Sequence, residues 1–165
     1  IKMYGKAFYK HFNYFFRPID FYLYYNSNVK IALLSVGSKY GLDFIEKLND
    51  YKHHEMTPIE VDFDYIRPKI TEMSGVWVKI NQANLKSAGF FGYHVNKSKE
   101  VEEAIKDGVL SSVLIKYIIP STKEEHSILI SKKGTIVLFD TYNQIEDELD
   151  IVMSVYNDII KKPAI

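Results

Sequence analysis

SSVLIKYIIPSTKEEHSILISKKGTIVLFDTYNQIEDELDIVMSVYNDIIKK, residues Ser111 to Lys162, is the stretch on which the reading of the fold turns. Val113 to Ile119 is an apolar run that Pro120 must end, as a strand requires. Ser127 to Ser131 and Thr135 to Asp140 alternate on either side of Lys132-Lys133-Gly134, which predicts a hairpin with glycine in its loop. Beyond it, Ile145, Leu149, Val152, Tyr156 and Ile160 form one helical stripe. Thr141 and Gln144 have capping-box spacing, acids crowd the first turns and Lys161-Lys162 close the last.

Working outward, Gly75 to Ile80 reads as a strand around Trp77, the single tryptophan. Ala83 to Val95 is glycine-interrupted and reads as irregular. Lys99 to Asp107 reads as a short helix with Ser98 as cap and Gly108 as stop. Strand, helix, antiparallel strands, helix is an order that predicts an α+β fold: a curved antiparallel sheet with helices packed on one face.

Toward the amino terminus, Tyr4, Phe8, Phe12, Phe15 and Phe16 recur at helical spacing with Lys2, Lys6 and Lys10 opposite them, which predicts a helix from Tyr4 to Phe16 stopped at Arg17-Pro18. Phe21 to Tyr25 and the turn Asn26-Ser27-Asn28 lead to a strand over Lys30 to Val36. Gly37 and Gly41 bracket a turn before a second helix, marked by Leu42, Ile45 and Leu48, that fades at His53-His54. Ile59 to Ile66 alternates, with Ile59, Val61, Phe63 and Tyr65 against Glu60, Asp62 and Asp64, and reads as a half-exposed strand. The punctuation at residues 67 to 75 makes a poor linker, so residues 1 to 165 are taken as one domain, with 1 to 74 its helix-strand-helix-strand portion.

The totals set limits. A chain of 165 residues with 47% apolar and 25% charged residues is that of an ordinary globular protein. Thirteen Tyr and ten Phe supply large rigid surfaces for a core or an interface. Formal net charge is zero, so the total announces neither a nucleic-acid nor a membrane partner. The absence of Cys excludes disulfides, thiolate zinc sites and Cys nucleophiles, and fits a reducing, cytoplasmic setting. No apolar stretch reaches the length of a membrane span, and the start lacks a secretory signal. The first residue is Ile1, so the start is expected upstream or at Met3.

With Gly75 to Ile80 and the short helix added, Ser111 to Lys162 resembles one repeat of the TATA-box-binding protein family, over residues 75 to 162. The matching pieces are Val113 to Tyr117, Ile128 to Ile130, the turn Ser131 to Gly134, Ile136 to Leu138 and the helix from about Ile145. The resemblance implies the fold. That family's paired Phe wedges for the DNA minor groove have no assigned positions here, and residues 1 to 74 do not repeat the pattern. The Lys-, Ile- and Tyr-rich composition resembles that of archaeal hyperthermophile proteins.

Candidate chemistry is sparse. The first forty residues carry Lys2, Lys6, Lys10, Arg17, Lys30 and Lys39 against Asp20, so Lys6, Lys10 and Arg17 with Phe8 and Phe12 are expected to form a cationic, aromatic surface for nucleic acid or a protein partner. The plainer reading packs those aromatics and leaves the lysines in water. Gly89-Phe90-Phe91-Gly92-Tyr93-His94-Val95 is similar to the aromatic strand of RNA-recognition motifs, which adds Phe90 and Tyr93 as contact candidates, although the surrounding element order differs. Glycine there also suits a bulge with the aromatics in the core. Glu60, Asp62 and Asp64 are the weak metal candidates, since three carboxylates on one strand face could hold a divalent ion. Such acids are equally an ordinary solvent face. His53-His54-Glu55 lacks the spacing that puts ligands on one helical face, and Gly37-Ser38-Lys39-Tyr40-Gly41 lacks the phosphate-loop pattern. No nucleophile elbow occurs.

These readings converge on a non-enzymatic binding or assembly domain that needs no cofactor and contacts protein, including a copy of itself, or more weakly nucleic acid. The alternative is a small metal-dependent hydrolase or nuclease at residues 60 to 64.

Overall fold

The computed structural model describes residues 2–11, 15–50, 55–82 and 84–163. The chain divides into two compact units, Ile1–Pro58 and Ile59–Ile165, which are taken in turn.

The first unit is an antiparallel sheet in the order β1-β2-β3 followed by a helix. β1 (Lys2–His11) pairs with β2 (Phe15–Asn26) from Lys2↔Tyr24 to His11↔Phe15. The expected helix from Tyr4 to Phe16 is therefore corrected, over its described residues, to two antiparallel strands. The reason is arithmetical. Aromatics at positions 4, 8 and 12 are spaced by four, which satisfies helical neighbours and strand alternation alike, and Tyr and Phe are strong strand formers. Pro18 lies inside β2 instead of ending an element, opposite Phe8. It is tolerated because β3 (Ile31–Ser35) pairs with Tyr22 to Asn26, so that among the described residues the Pro18 stretch has a strand partner on one side alone. The turn at Asn26 is as expected, with the Asn26 side chain accepting from the amides of Asn28 at 3.1 Å and Val29 at 3.4 Å. Helix α1 spans Ser38–Asp50, so the turn expected between Gly37 and Gly41 is corrected to a first helical turn.

The second unit is a five-stranded antiparallel sheet in the order β5-β4-β6-β7-β8. It is α+β, with its helical residues packed on one sheet face, as the element order predicts. β4 (Met73–Gln82) lies between β5 (Leu85–Phe91) and β6 (Gly108–Ile118), and β7 (Glu125–Ser131) carries β8 (Ile136–Leu138) at the far edge. Val76, Val78, Val113, Ile128 and Ile130 are wholly buried on the packed face. Over them lie Phe63 and Ile66 of α2 (Phe63–Ile66), Val101 of α3 (Lys99–Asp107), and Ile151 and Val155 of α4 (Ile145–Val155).

Three further expectations change. Residues 59 to 66 form no strand: the Asp62 side chain accepts from the amides of Asp64 and Tyr65, turning the backbone into α2. A capping carboxylate followed by Arg67-Pro68 prevails over alternation because Val61, Phe63 and Ile66 all reach the core by this route. Residues 85–91, read as irregular, are β5, and Gly89 sits in regular register opposite Trp77 instead of in a bulge. In the last helix the buried residues are Ile151, Val155, Ile159 and Ile160; of the expected stripe Ile160 is buried and Tyr156 packs against the core, whereas Ile145, Leu149 and Val152 are only half-buried. There Gln144 is the N-cap without a side-chain bond, so the Thr141 box does not form. Residues Tyr156–Ile160 continue as one wider π-helical turn, whose carbonyls at Asp158 and Ile159 accept from the Lys69 ammonium. By contrast Ser98 caps α3 as expected, accepting from Val101 N–H at 3.4 Å, and Gly134 turns the β7–β8 hairpin at φ +75°.

Candidate functional site: the outer face of the five-stranded sheet

Strand alternation that sends Val76, Val113, Ile128 and Ile130 inward sends Gly75, Trp77, Leu114, Leu129 and Val137 to the opposite face. The register joins them into rows. Phe91 pairs with Gly75, Gly75 with Leu114, Leu114 with Leu129 and Leu129 with Val137, so one apolar row crosses all five strands. The next row, Gly89, Trp77, Ser112 and Ser131, carries the indole. Exposure is high for large apolar groups: Phe91 is 65% and Phe139 58% exposed, and Val109, Ile118 and Val137 are exposed as well.

Two glycines shape this face. A Cβ on Gly75 would stand 3.1 Å from Leu114 Cβ, 3.2 Å from the Trp77 ring and 3.3 Å from the Phe91 ring; one on Gly89 would stand 3.0 Å from the Phe91 ring. The missing side chains thus make room for Phe91 and Trp77, which meet edge to face with centroids 4.9 Å apart. Local sequence alone offers no such reason for these glycines.

The charges are few and balanced. Lys79 and Lys116 are the cations of the face. Lys116 is paired with Glu125, which holds its ammonium above the ordinary lysine range, with Glu72 and Tyr93 adding to the same effect.

Of the contact candidates read from sequence, Tyr93 stands at the rim, 92% exposed, just past β5. Phe90 faces the other way and packs against the buried cluster, while its neighbour Phe91 occupies the outer face. Lys6, Phe8 and Lys10 are alternate residues of β1, and Arg17 lies opposite Tyr9 in the hairpin. Phe12 lies outside the described residues, as do His53 and His54.

The acids at 60 to 64 lie elsewhere. Glu60, Asp62, Asp64 and Lys132 line an open cleft of about 490 Å³ whose apolar wall is Phe63, Ile105, Val109 and Leu110. Lys132 lies 3.5 Å from Glu60, and Lys162 2.7 Å from Asp62. The Lys162 bond, followed by the Tyr65 amide, holds the Asp62 carboxyl below its usual range. Among the described residues no three His, Cys, Asp or Glu side chains come together so as to hold a metal ion.

A polar cluster unremarked in the sequence lies at the end of β7. His126 is 9% exposed, and its Nδ1 is 3.1 Å from Asp140 Oδ2 and 3.0 Å from the Tyr142 hydroxyl. Burial, then the charge of Asp140, pushes the Tyr142 hydroxyl up to about 12. The cluster ties the β8–α4 connection to β7. Its residues are spaced 14 and 16 positions apart, with no local signal in the sequence.

Among the described residues no helix is long and apolar enough to cross a membrane. No family model matches the chain, and no match is found among curated proteins or solved structures.

Proposed function

We propose that this chain is a non-enzymatic binding or assembly domain that contacts another protein through the outer face of its five-stranded sheet. The observation that carries the reading is the apolar row from Phe91 to Val137, flanked by Trp77 and Phe139. Contiguous apolar surface of that extent is costly to leave in water and marks sites where something binds. Its chemistry favours protein over a polyanion: a nucleic acid needs several uncompensated cations, whereas one of the two lysines here is neutralised by Glu125. The resemblance of residues 75 to 162 to one TATA-box-binding protein repeat belongs to this proposal for its architecture, helices on one face and contacts on the other.

The test uses an apolar fluorescent dye, anilinonaphthalene sulfonate, with Trp77, the chain's single tryptophan, as energy donor. The native protein binds the dye with transfer from Trp77. The Leu129→Thr, Val137→Lys double variant loses that binding and still melts as a folded protein. A native protein that does not bind dye, or a variant that unfolds because the rest of the chain covers these residues, overturns the reading. Saturable anisotropy with single-stranded or duplex nucleic acid at moderate salt would move the surface to the other class of partner.

A further inference from the structure

The two edges of the five-stranded sheet differ sharply. β8 is a three-residue strand, the short kind of edge that resists further pairing. β5 has seven residues, Leu85-Lys86-Ser87-Ala88-Gly89-Phe90-Phe91, without proline and in regular register with β4 from Ser87 to Phe91. Its outer side chains include Leu85 and Phe91, both exposed. A long edge of this kind is a template for one more strand.

The sequence of β5 fits itself. An antiparallel pairing of all seven residues with a second β5 has its twofold axis at the fourth residue, Ala88. That register sets Leu85 opposite the second copy's Phe91, Lys86 opposite its Phe90, Ser87 opposite its Gly89 and Ala88 opposite itself. The outer pairs are aliphatic with aromatic, which favours pairing. The single charge meets an aromatic ring instead of its own copy, so no like charges are opposed. Small residues at the centre let the backbones approach. The apolar row of the outer face runs into this edge at Phe91, so the added strand would cover its most exposed residue.

We infer that β5 is a self-association edge, at which a second copy of this chain adds its own β5 antiparallel across Ala88, extending both outer faces into one surface. The inference rests on the proposed function in taking the outer face as a protein-contact surface, and it names the partner for its Phe91 end.

The chain contains no Cys, so single cysteines report cleanly. Directly opposed antiparallel residues have Cα atoms roughly 4.5–5.5 Å apart, within the reach of a disulfide. Under mild oxidation of the full chain, Ala88→Cys is expected to form a covalent dimer at least about tenfold faster than Ser121→Cys in the exposed 119–124 turn, because pairing raises the effective thiol concentration. In sedimentation equilibrium, Ser87→Glu, which puts carboxylates beside the axis on an exposed strand, is expected to weaken self-association at least about tenfold by like-charge juxtaposition. Should that variant melt early, Ser87→Lys repeats the measurement with the opposite sign. The Leu129→Thr, Val137→Lys variant keeps the dimer. A wild-type chain that stays monomeric, with Ala88→Cys linking no faster than the control, overturns the edge. A dimer that survives Ser87→Glu but is lost in the Leu129, Val137 variant also overturns it, while leaving the outer face as a contact surface. A native chain that binds no dye, while Ala88→Cys still cross-links faster than the control, would sink the face reading alone.

Discussion

Ile130 and Leu129 are neighbours on β7 with side chains of equal size, yet Ile130 is wholly buried and Leu129 only partly. The two faces of the second sheet are built from the same strands and similar aliphatic residues. They differ in what lies above them. The inner face is covered by α2, α3 and α4, whereas the outer face carries apolar residues that remain exposed. Hydrophobicity of a strand residue therefore does not say whether it serves folding or contact. That depends on whether another element of the chain covers it.

The contrast predicts its largest effect at Ile130→Ala, which removes methylenes from a packed interior and should cost about 2–5 kcal/mol. Leu129→Ala, the same deletion on the other face, should cost under about 1.5 kcal/mol, since part of that surface already meets water. Urea unfolding of the two variants checks the pair, and equal losses would erase the distinction between the faces.

Gly75→Ala comes next. Its new Cβ meets the backbone-anchored Leu114 Cβ as well as two rings, so one ring must move, at a cost of about 1–3 kcal/mol. A shift in Trp77 emission in the folded state would show that the indole is the ring displaced. Unchanged emission together with unchanged stability would mean that the socket for Phe91 and Trp77 is looser than drawn.

Tyr117→Phe probes the inner face with a smaller perturbation. The Tyr117 hydroxyl donates to Asp158 Oδ2 at 2.6 Å, joining β6 to the turn after α4. Loss of this bond should cost about 1 kcal/mol, since the exposed Asp158 carboxylate can turn to solvent once the hydroxyl is gone. Thermal melts at neutral pH measure it.

The smallest effect is one of pH. The Tyr142 hydroxyl, held up to about 12 by burial and by Asp140, keeps its proton in the folded state after the unfolded chain has lost it near its ordinary value of 10.0. The folded state then binds more protons, so stability is fully present below the ordinary value and falls as pH rises toward about 12. Tyr142→Phe should flatten that decline in denaturant melts between those limits. An unchanged slope would assign the alkaline sensitivity to Tyr117, whose hydroxyl burial also pushes upward.

Legibility followed the range of the interactions. The α3 helix, its Ser98 cap, the β7–β8 hairpin and the Asn26 turn were legible because a side chain within three residues, or a glycine, dictates each. The hairpin at 2–26 was misread because spacing by four serves two periods. Residues 59 to 66 were misread because alternation looked complete while Asp62, followed by the Arg67-Pro68 break, was bending the chain into a helical turn. Of the proposed contact surface, the sequence points to Tyr93 but not to Phe91, Leu129 or Val137. A run such as Ile128-Leu129-Ile130 is apolar at every position, so alternation cannot sort its faces.

The sequence by itself determined an α+β chain with an antiparallel hairpin, the Ser98-capped helix and no thiol chemistry, since these follow from composition and from bonds made within a few residues. Only the tertiary structure decided which apolar residues form core and which form the exposed row, that two glycines hold room for Phe91 and Trp77, and that the seven-residue β5 is an end strand of its sheet. Each of these depends on strand partners far apart in the chain. Burial is a property of what packs above a residue, and that neighbour is not written in the residue's own surroundings.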